Sequence, residues 1–320
     1  MGVIAAVEGA RFDAIVVGRA GMDLYPAPAG TPTDQAQSML TDMGGSAGNI
    51  AVALARHGAK VGLAAPVSAD PVGDFVKRQL ARFGITHLTP DPVGGDARTS
   101  LALAETIAEG SRTVIYRNNA ADFALPPLPS DMLRASRALV VTGTALAAEP
   151  SRSACLQALQ LARTRILDLD YRPYSWPDLE TTRAVYGSAM EVADILVGND
   201  EEFAQTAAPG QSGQDHAAAR SHGALVIYKM GAQGARVVEN GVWQELVPPY
   251  PVTALKPFGA GDAFLGGVLA ILLEGGDIAD ALRFGAAAAA LVVGRVGCAN
   301  AMPDRTETEA FIASREERDA

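Results

Sequence analysis

The chain has 320 residues, 36 acidic and 26 basic, for a formal net charge of −10. With 48% hydrophobic and 19% charged residues, it is too apolar and too weakly charged per residue to be a disordered chain. The acidic balance argues against a nucleic-acid partner, which needs clustered Lys and Arg, yet it leaves room for a small anionic ligand at a local basic site. This length suits about two domains, or one large α/β domain with an appendage. Cys155 and Cys298 lie far apart, without zinc-ligand spacing or a disulfide framework, which fits a reducing cytoplasm. The N-terminal stretch carries Glu8 and no basic flank, unlike a signal peptide. The longest apolar run, Ala263–Leu273, falls well short of the roughly 18 residues a membrane span needs. The expectation is a soluble cytoplasmic protein with no membrane partner.

In chain order, β-rich apolar runs occur at Ala14–Val17, Val61–Val67, Ala138–Thr142, Ile166–Asp170, Asp194–Val197 and Leu225–Lys229. They alternate with amphipathic or Ala-rich stretches at Asn49–His57, Gly73–Phe83, Ser151–Arg163, Glu180–Val192 and His216–His222. This rhythm predicts an α/β fold, a mostly parallel sheet with helices on both faces. Two Ala-rich helices are predicted near Gly261–Glu274 and Ile278–Val293, and the alanines of Ala286–Ala290 suit close helix packing or room for a flat ligand. Met22–Met43 and Thr99–Asn118 break the rhythm. In the second, Ser100-Leu-Ala-Leu-Ala-Glu-Thr-Ile is followed by Ala108-Glu-Gly-Ser and Arg112-Thr-Val-Ile-Tyr-Arg, a β-hairpin pattern with its turn around Gly110. The two segments are read as a small β appendage; the alternative is an extra hairpin on the edge of the main sheet.

The sharpest local pattern is Phe258-Gly-Ala-Gly-Asp-Ala-Phe264, leading into an apolar helix. Consecutive backbone N–H groups of Gly259, Ala260 and Gly261 at a helix N-terminus form an anion site. Asp262, on the first turn beside it, can accept a proton from a hydroxyl while those amides hold a transferring phosphoryl group. The competing reading makes Asp262 a helix cap only. No Walker-A or His-Glu-x-x-His pattern occurs, and the Rossmann fingerprint is incomplete at position 264. Gly44-Gly45-Ser46-Ala47-Gly48 does match Gly-x-Ser-x-Gly, the nucleophile elbow of α/β-hydrolases. Its context is wrong: Ser38–Met43 does not read as a buried apolar strand, and the last histidine, His222, is early for such an enzyme. These glycines are better read as letting the backbone approach a ligand at the start of the Asn49 helix.

Taken together, the motifs resemble those of the ribokinase-like (PfkB) carbohydrate kinases along nearly the whole chain. Gly44-Gly-Ser-Ala-Gly-Asn49 is similar to the family's sugar-binding turn, and Phe258–Phe264 to its second signature, where the Asp is the catalytic base. Asn199-Asp-Glu-Glu202 resembles the Asn-x-x-Glu motif that acts on Mg²⁺ through water, and Gly231-Ala-Gln-Gly234 the turn passing the ATP phosphates. The resemblance implies a three-layer α/β/α sandwich with a β lid: core at 1–21, 45–97 and 122–320, lid at 22–44 and 98–121. It implies ATP and Mg²⁺ as cosubstrate and cofactor, the adenine near Ala286 and Ala290, and the sugar on Asp23, Gly45, Ser46 and Asn49. Gly18–Tyr25, Thr142–Leu146, Leu169–Trp176, Leu255–Asp262 and Tyr116-Arg-Asn-Asn119 further resemble an acid-sugar branch of the family that serves inositol catabolism, phosphorylating a hydroxymethyl group. Kinases of 2-keto-3-deoxygluconate, fructose or ribose are the alternatives within the family. A non-catalytic regulator on the same fold is the alternative outside it, against which the intact Asp262, Asn199 and Glu202 argue.

An acidic sugar also suits the chemistry, because a carboxylate wants a planar guanidinium. Arg117 and Arg172 are the first choices for that contact and Arg19 the third, each with a surface ion pair as the alternative. Two positions depart from the family pattern. Many relatives carry an Asp six residues before the catalytic one, in a monovalent-cation site; here it is Lys256. That removes the ground for K⁺ activation. Lys256 either supplies positive charge where the cation would sit or faces solvent. Lys229 replaces a small hydroxyl residue and either reaches a phosphate or caps the sheet edge. A lid with an exposed strand edge can pair with a second copy, so a homodimer is compatible with the sequence.

Overall fold

A computed structural model describes residues 3–107, 110–256 and 258–319. The hairpin turn expected at Ala108–Gly110 therefore falls partly outside the described residues, as does Pro257 of the Leu255–Asp262 motif.

Short, fully buried apolar runs build the main sheet, and their alternation sends side chains to both faces. The strands of this sheet are β1 (Ala14–Val17), β4 (Val61–Ala64), β5 (Thr86–His87), β8 (Ala138–Thr142), β9 (Thr164–Asp168), β10 (Ile195–Asn199), β11 (Leu225–Lys229), β12 (Ala235–Glu239) and β13 (Val242–Trp243). They lie in the order β13-β12-β11-β10-β9-β8-β1-β4-β5. Pairing is parallel from β5 through β11, while β12 and β13 join as antiparallel edge strands. From β1, Ala14 and Val16 pack into one core and Ile15 and Val17 into the other. The first core contains α1 (Ser46–Arg56), α2 (Pro71–Arg82), α8 (Ala260–Leu273) and α9 (Ile278–Val293). The second contains α3 (Ser130–Arg134), α4 (Ser151–Leu161), α5 (Leu179–Met190), α6 (Asp200–Thr206) and α7 (Gly213–Arg220). The result is a three-layer α/β/α sandwich. The apolar run Ala263–Leu273 is the buried body of α8, which packs along α1 and the Ala-rich α9. No helix among the described residues is long and apolar enough to cross a membrane.

The remaining strands, β2 (Gly21–Ala27), β3 (Ser38–Gly44), β6 (Leu101–Ala104) and β7 (Thr113–Tyr116), form a second sheet of their own. They are not an edge extension of the first. Its order is β3-β2-β6-β7, antiparallel at both ends and parallel between β2 and β6. Buried polar contacts tie this sheet to the core. The Asp42 carboxylate of β3 accepts from the backbone N–H of Cys298 at 2.8 Å and of Asn300 at 3.1 Å. Beneath the sheet, Tyr25, Ala104 and Cys298 form a small apolar cluster against Phe258 and Val296.

Elements without a strong apolar period went unforeseen: α3, α6, the β12–β13 edge and the polar α10 (Arg305–Asp319). Strand β9 begins two residues earlier than expected and ends at Asp168, which leaves Leu169 and Asp170 beyond the strand.

Candidate active site

Between the two sheets lies a cavity of about 660 Å³. Its floor comes from residues at or just past the C-terminal ends of the parallel strands: Arg19 after β1, Thr144 after β8, Asp168 and Asp170 at β9, Asn199 at β10, and Lys229 at β11. Open α/β sheets place ligands at such ends. The second sheet supplies the roof through Asp23, Tyr25, Ala102, Ala104 and Thr113–Ile115.

Helix α8 starts at the cavity. Gly259 is its N-cap with φ 79, a left-handed conformation that favours glycine, and Ala260 and Gly261 follow with their amides unclaimed by any side-chain cap. Asp262 is therefore not the cap. Its Oδ2 instead accepts from Asn49 Nδ2 at 2.8 Å, across 213 residues of sequence. Burial pushes its carboxyl up to about 6, with the Asp170 charge adding to the rise and the Asn49 amide, Lys229 and Arg172 opposing it. A base must be ionised to accept a proton, so turnover should fall as pH drops through about 6. A pH–kcat profile checks this; a flat profile from pH 5 to pH 7, roughly the range over which such a group titrates, would contradict it.

The other end of the cavity suits hydroxyl groups. The buried Ser46 Oγ and Asn49 Oδ1 have no hydrogen-bond partner, and buried polar atoms normally have one. Asp23 sits nearby, buried, its carboxylate taking the Tyr25 hydroxyl at 2.9 Å. Burial raises the Asp23 carboxyl, against the pull of Arg19. Two glycines make this corner possible. A side chain at Gly44 would meet the Asp23 carboxylate at 2.1 Å. Gly45, with φ 92, lies where a Cβ would strike the Arg19 carbonyl at 2.4 Å.

Opposite lies a charged wall. Asn199 and Glu202 form a capping box on α6: Glu202 N–H donates to Asn199 Oδ1 at 2.9 Å, and Asn199 N–H to Glu202 Oε2 at 2.8 Å. Lys229 Nζ lies 3.4 Å from Asp168 and 3.6 Å from Glu202. Burial alone would lower its ammonium, but Asp168 and Glu202 hold it above the usual lysine range. Lys229 thus lines the cavity and does not cap an outer edge. Asp168 is pushed up to about 7 by burial despite Lys229.

The three arginines line the cavity, but their guanidinium groups are unequally committed. Arg117 is buried, paired with Asp122 at 2.6 Å, donating to the Thr144 carbonyl at 3.1 Å and stacked on Phe123. Its fork ties the chain after β7 to the core, which leaves less of it for a substrate carboxylate than the sequence alone suggests. Arg172 pairs with Asp170 at 2.7 Å and is half-exposed. Arg19, placed third from the sequence, has no carboxylate partner among the described residues and donates only to Ser100 Oγ at 3.2 Å. Lys256 is 0% exposed, so the solvent-facing reading of it fails. Gly231 and Gly234 bound the turn after β11, and Ala286 and Ala290 lie on α9, all outside the cavity wall. Among the described residues no histidine lines the cavity, which leaves Ser46 without the base a hydrolase needs. The sequence reading missed Asp168, Asp170, Tyr25, Thr144 and Cys298; the available signal was that Asp168 and Asp170 fall at the C-terminal end of an apolar run, where ligands gather.

A helix-terminal anion site facing a carboxylate, at the mouth of a parallel sheet and under a β roof, is the layout of a phosphoryl-transfer enzyme. The chain matches the pfkB family carbohydrate kinase over residues 11–305 and belongs to that family, phosphotransferases with an alcohol acceptor. It is 38% identical to the 5-dehydro-2-deoxygluconokinase of Photobacterium profundum, over 98% of each chain. It is 34% identical to the enzyme of that name from Clostridium tetani, over 97% of this chain and 95% of that one. The fold is also that of a putative ribokinase II from E. coli solved with ATP and Mg²⁺, with a TM-score of 0.83 at 23% identity, over 94% of this chain and 99% of that one.

Proposed function

We propose that this kinase moves the γ-phosphoryl group of ATP to the C6 hydroxymethyl of 5-dehydro-2-deoxy-D-gluconate. The observation that carries the acid sugar is Arg19, half-buried, lining the same cavity as the unpartnered Ser46 and Asn49 oxygens and free of any carboxylate among the described residues. A guanidinium in that setting wants an anionic partner, and the named relatives act on this acid. Asp262 takes the proton of the attacking hydroxyl, whose oxygen then bonds to the γ-phosphorus as ADP leaves. The amides of Gly259, Ala260 and Gly261 carry the charge on the transferring oxygens. The roof excludes water, which otherwise competes as acceptor. In product analysis by NMR the phosphate should appear on O6. Phosphate elsewhere, or no ADP formed with this acid, would overturn the reading.

The cavity also fits Mg²⁺. Asp168, Asp170, Glu202 and Asp262 line one side of the cavity, where Lys229 and Arg172 pair with them, a wall that would repel bare phosphates. Mg²⁺ keeps several waters and needs only one or two carboxylates plus phosphate oxygens, so Asn199 and Glu202 would hold it through water. Bound there, it would neutralise and orient the phosphates. Glu202→Ala should raise the Mg²⁺ concentration needed for half-maximal rate by roughly 10-fold, in line with the loss of an outer-shell ligand. An unchanged Mg²⁺ titration would remove Glu202 from that role. K⁺ should give little or no stimulation, since a lysine already occupies position 256.

A further inference from the structure

Lys256 is a buried lysine that the reaction as described does not use. It is 0% exposed, and lysines are almost never fully buried unless paired. Among the described residues no carboxylate comes within ion-pair distance of its Nζ. Asp23, Asp42, Asp262 and Cys298 surround it at longer range. Asp42 is itself occupied by the backbone N–H groups of Met43, Cys298 and Asn300. The acceptor that Lys256 does reach is the carbonyl of Phe258. Its own backbone N–H donates to the Val293 carbonyl at 3.1 Å, at the C-terminal end of α9, which fixes the segment from which the side chain reaches out.

The Phe258 carbonyl belongs to the same peptide unit as the Gly259 N–H, the first amide of the anion hole. In a trans peptide the C=O and N–H point to opposite sides of one rigid plane. An ammonium that draws the carbonyl inward therefore turns the Gly259 N–H outward, and Gly259 lines the cavity. A charged donor also polarises the amide and strengthens its N–H as a donor. Gly259 is held left-handed, a state glycine readily leaves unless its neighbours fix it.

Resting on the kinase reading, we propose that Lys256 is a positioning residue for phosphoryl transfer. It holds the Phe258–Gly259 peptide with its N–H facing the transferring phosphoryl group, and it adds a fixed positive charge behind the anion hole.

The test uses Lys256→Met, which keeps the length and removes the charge, and Lys256→Ala, which leaves space, assayed with whichever acceptor the wild type turns over fastest. An unpaired buried charge costs stability, so Lys256→Met should melt at or above the wild-type temperature. Its kcat should nevertheless fall by about 10- to 100-fold, somewhat less than loss of an oxyanion donor itself, with KM for the sugar little changed. In Lys256→Ala, added methylammonium or K⁺ should restore kcat several-fold, while wild type and Lys256→Met stay unresponsive. Wild-type kcat in Lys256→Met would overturn the proposal. So would a parallel fall of melting temperature and activity in both variants with no rescue by any small cation, the mark of a merely structural lysine. An inability to use the acid sugar would refute the substrate assignment and leave this comparison intact.

Discussion

Asp262→Asn should lower kcat by about 10²- to 10⁴-fold, the usual contribution of general-base help, with sugar and ATP still bound. The substitution keeps the shape and the contact with Asn49 but removes the proton acceptor. It also removes one negative charge from a wall that already holds Asp168 and Asp170. ATP affinity should therefore hold or rise while turnover collapses, a split that general damage to the fold would not give. Rapid-quench turnover and equilibrium ATP binding on the same preparation measure both halves. A variant that turns over near the wild-type rate would remove Asp262 from the role of base.

The second large effect concerns the arginines. Arg19→Ala should cost about 10²- to 10⁴-fold in kcat/KM for the acid sugar, from two charge-assisted hydrogen bonds at roughly 1.5–3 kcal/mol each. Neutral sugars should change little, so the preference for the acid should narrow. Arg172→Ala should fall between, because Asp170 already claims part of its guanidinium at 2.7 Å. Arg117→Ala should act differently. It strands Asp122 in a buried site, and breaking such a pair costs about 3–5 kcal/mol, so the melting temperature should drop with little change in selectivity. If Arg19→Ala keeps the full acid preference and Arg117→Ala abolishes it without loss of stability, the order drawn from the structure is wrong.

That order reverses the one drawn from the sequence, and the reason is physical. Arg19, Arg117 and Arg172 are alike as residue types; what separates them is which carboxylate each meets. Asp122 lies five residues beyond Arg117, around a 3-10 turn at Ala121–Phe123, a geometry with no periodic signature. By contrast, the Gly259–Asp262 turn was legible because its chemistry is local, set by residues within one helical turn, whereas Asn199 and Glu202 stood out only through the family resemblance and their capping box came from the structure. Strands β1 and β8 were legible for the same local reason, each a short apolar or β-branched run, and β11 is such a run up to Tyr228 and Lys229 at its end. Lys256 reads as a loop lysine just before Pro257, and its burial follows from Val293 and Cys298, which local spacing does not bring near. The Tyr25–Cys298 contact at 3.1 Å spans 273 residues, and β12 and β13 are too short for alternation to stand out. Local motifs pointed to the candidate reacting groups; the partners that set their charge came from the tertiary structure.

A base, an anion hole and an arginine together should make this kinase choose one acidic sugar. A coupled ADP-release assay with 5-dehydro-2-deoxy-D-gluconate, 2-keto-3-deoxygluconate, fructose and ribose, at identical ATP and Mg²⁺, tests that most directly. The predicted result is the highest kcat/KM for 5-dehydro-2-deoxy-D-gluconate, with ribose and fructose at least about 100-fold lower because they leave a charged donor unsatisfied. Faster turnover of ribose or fructose would contradict it.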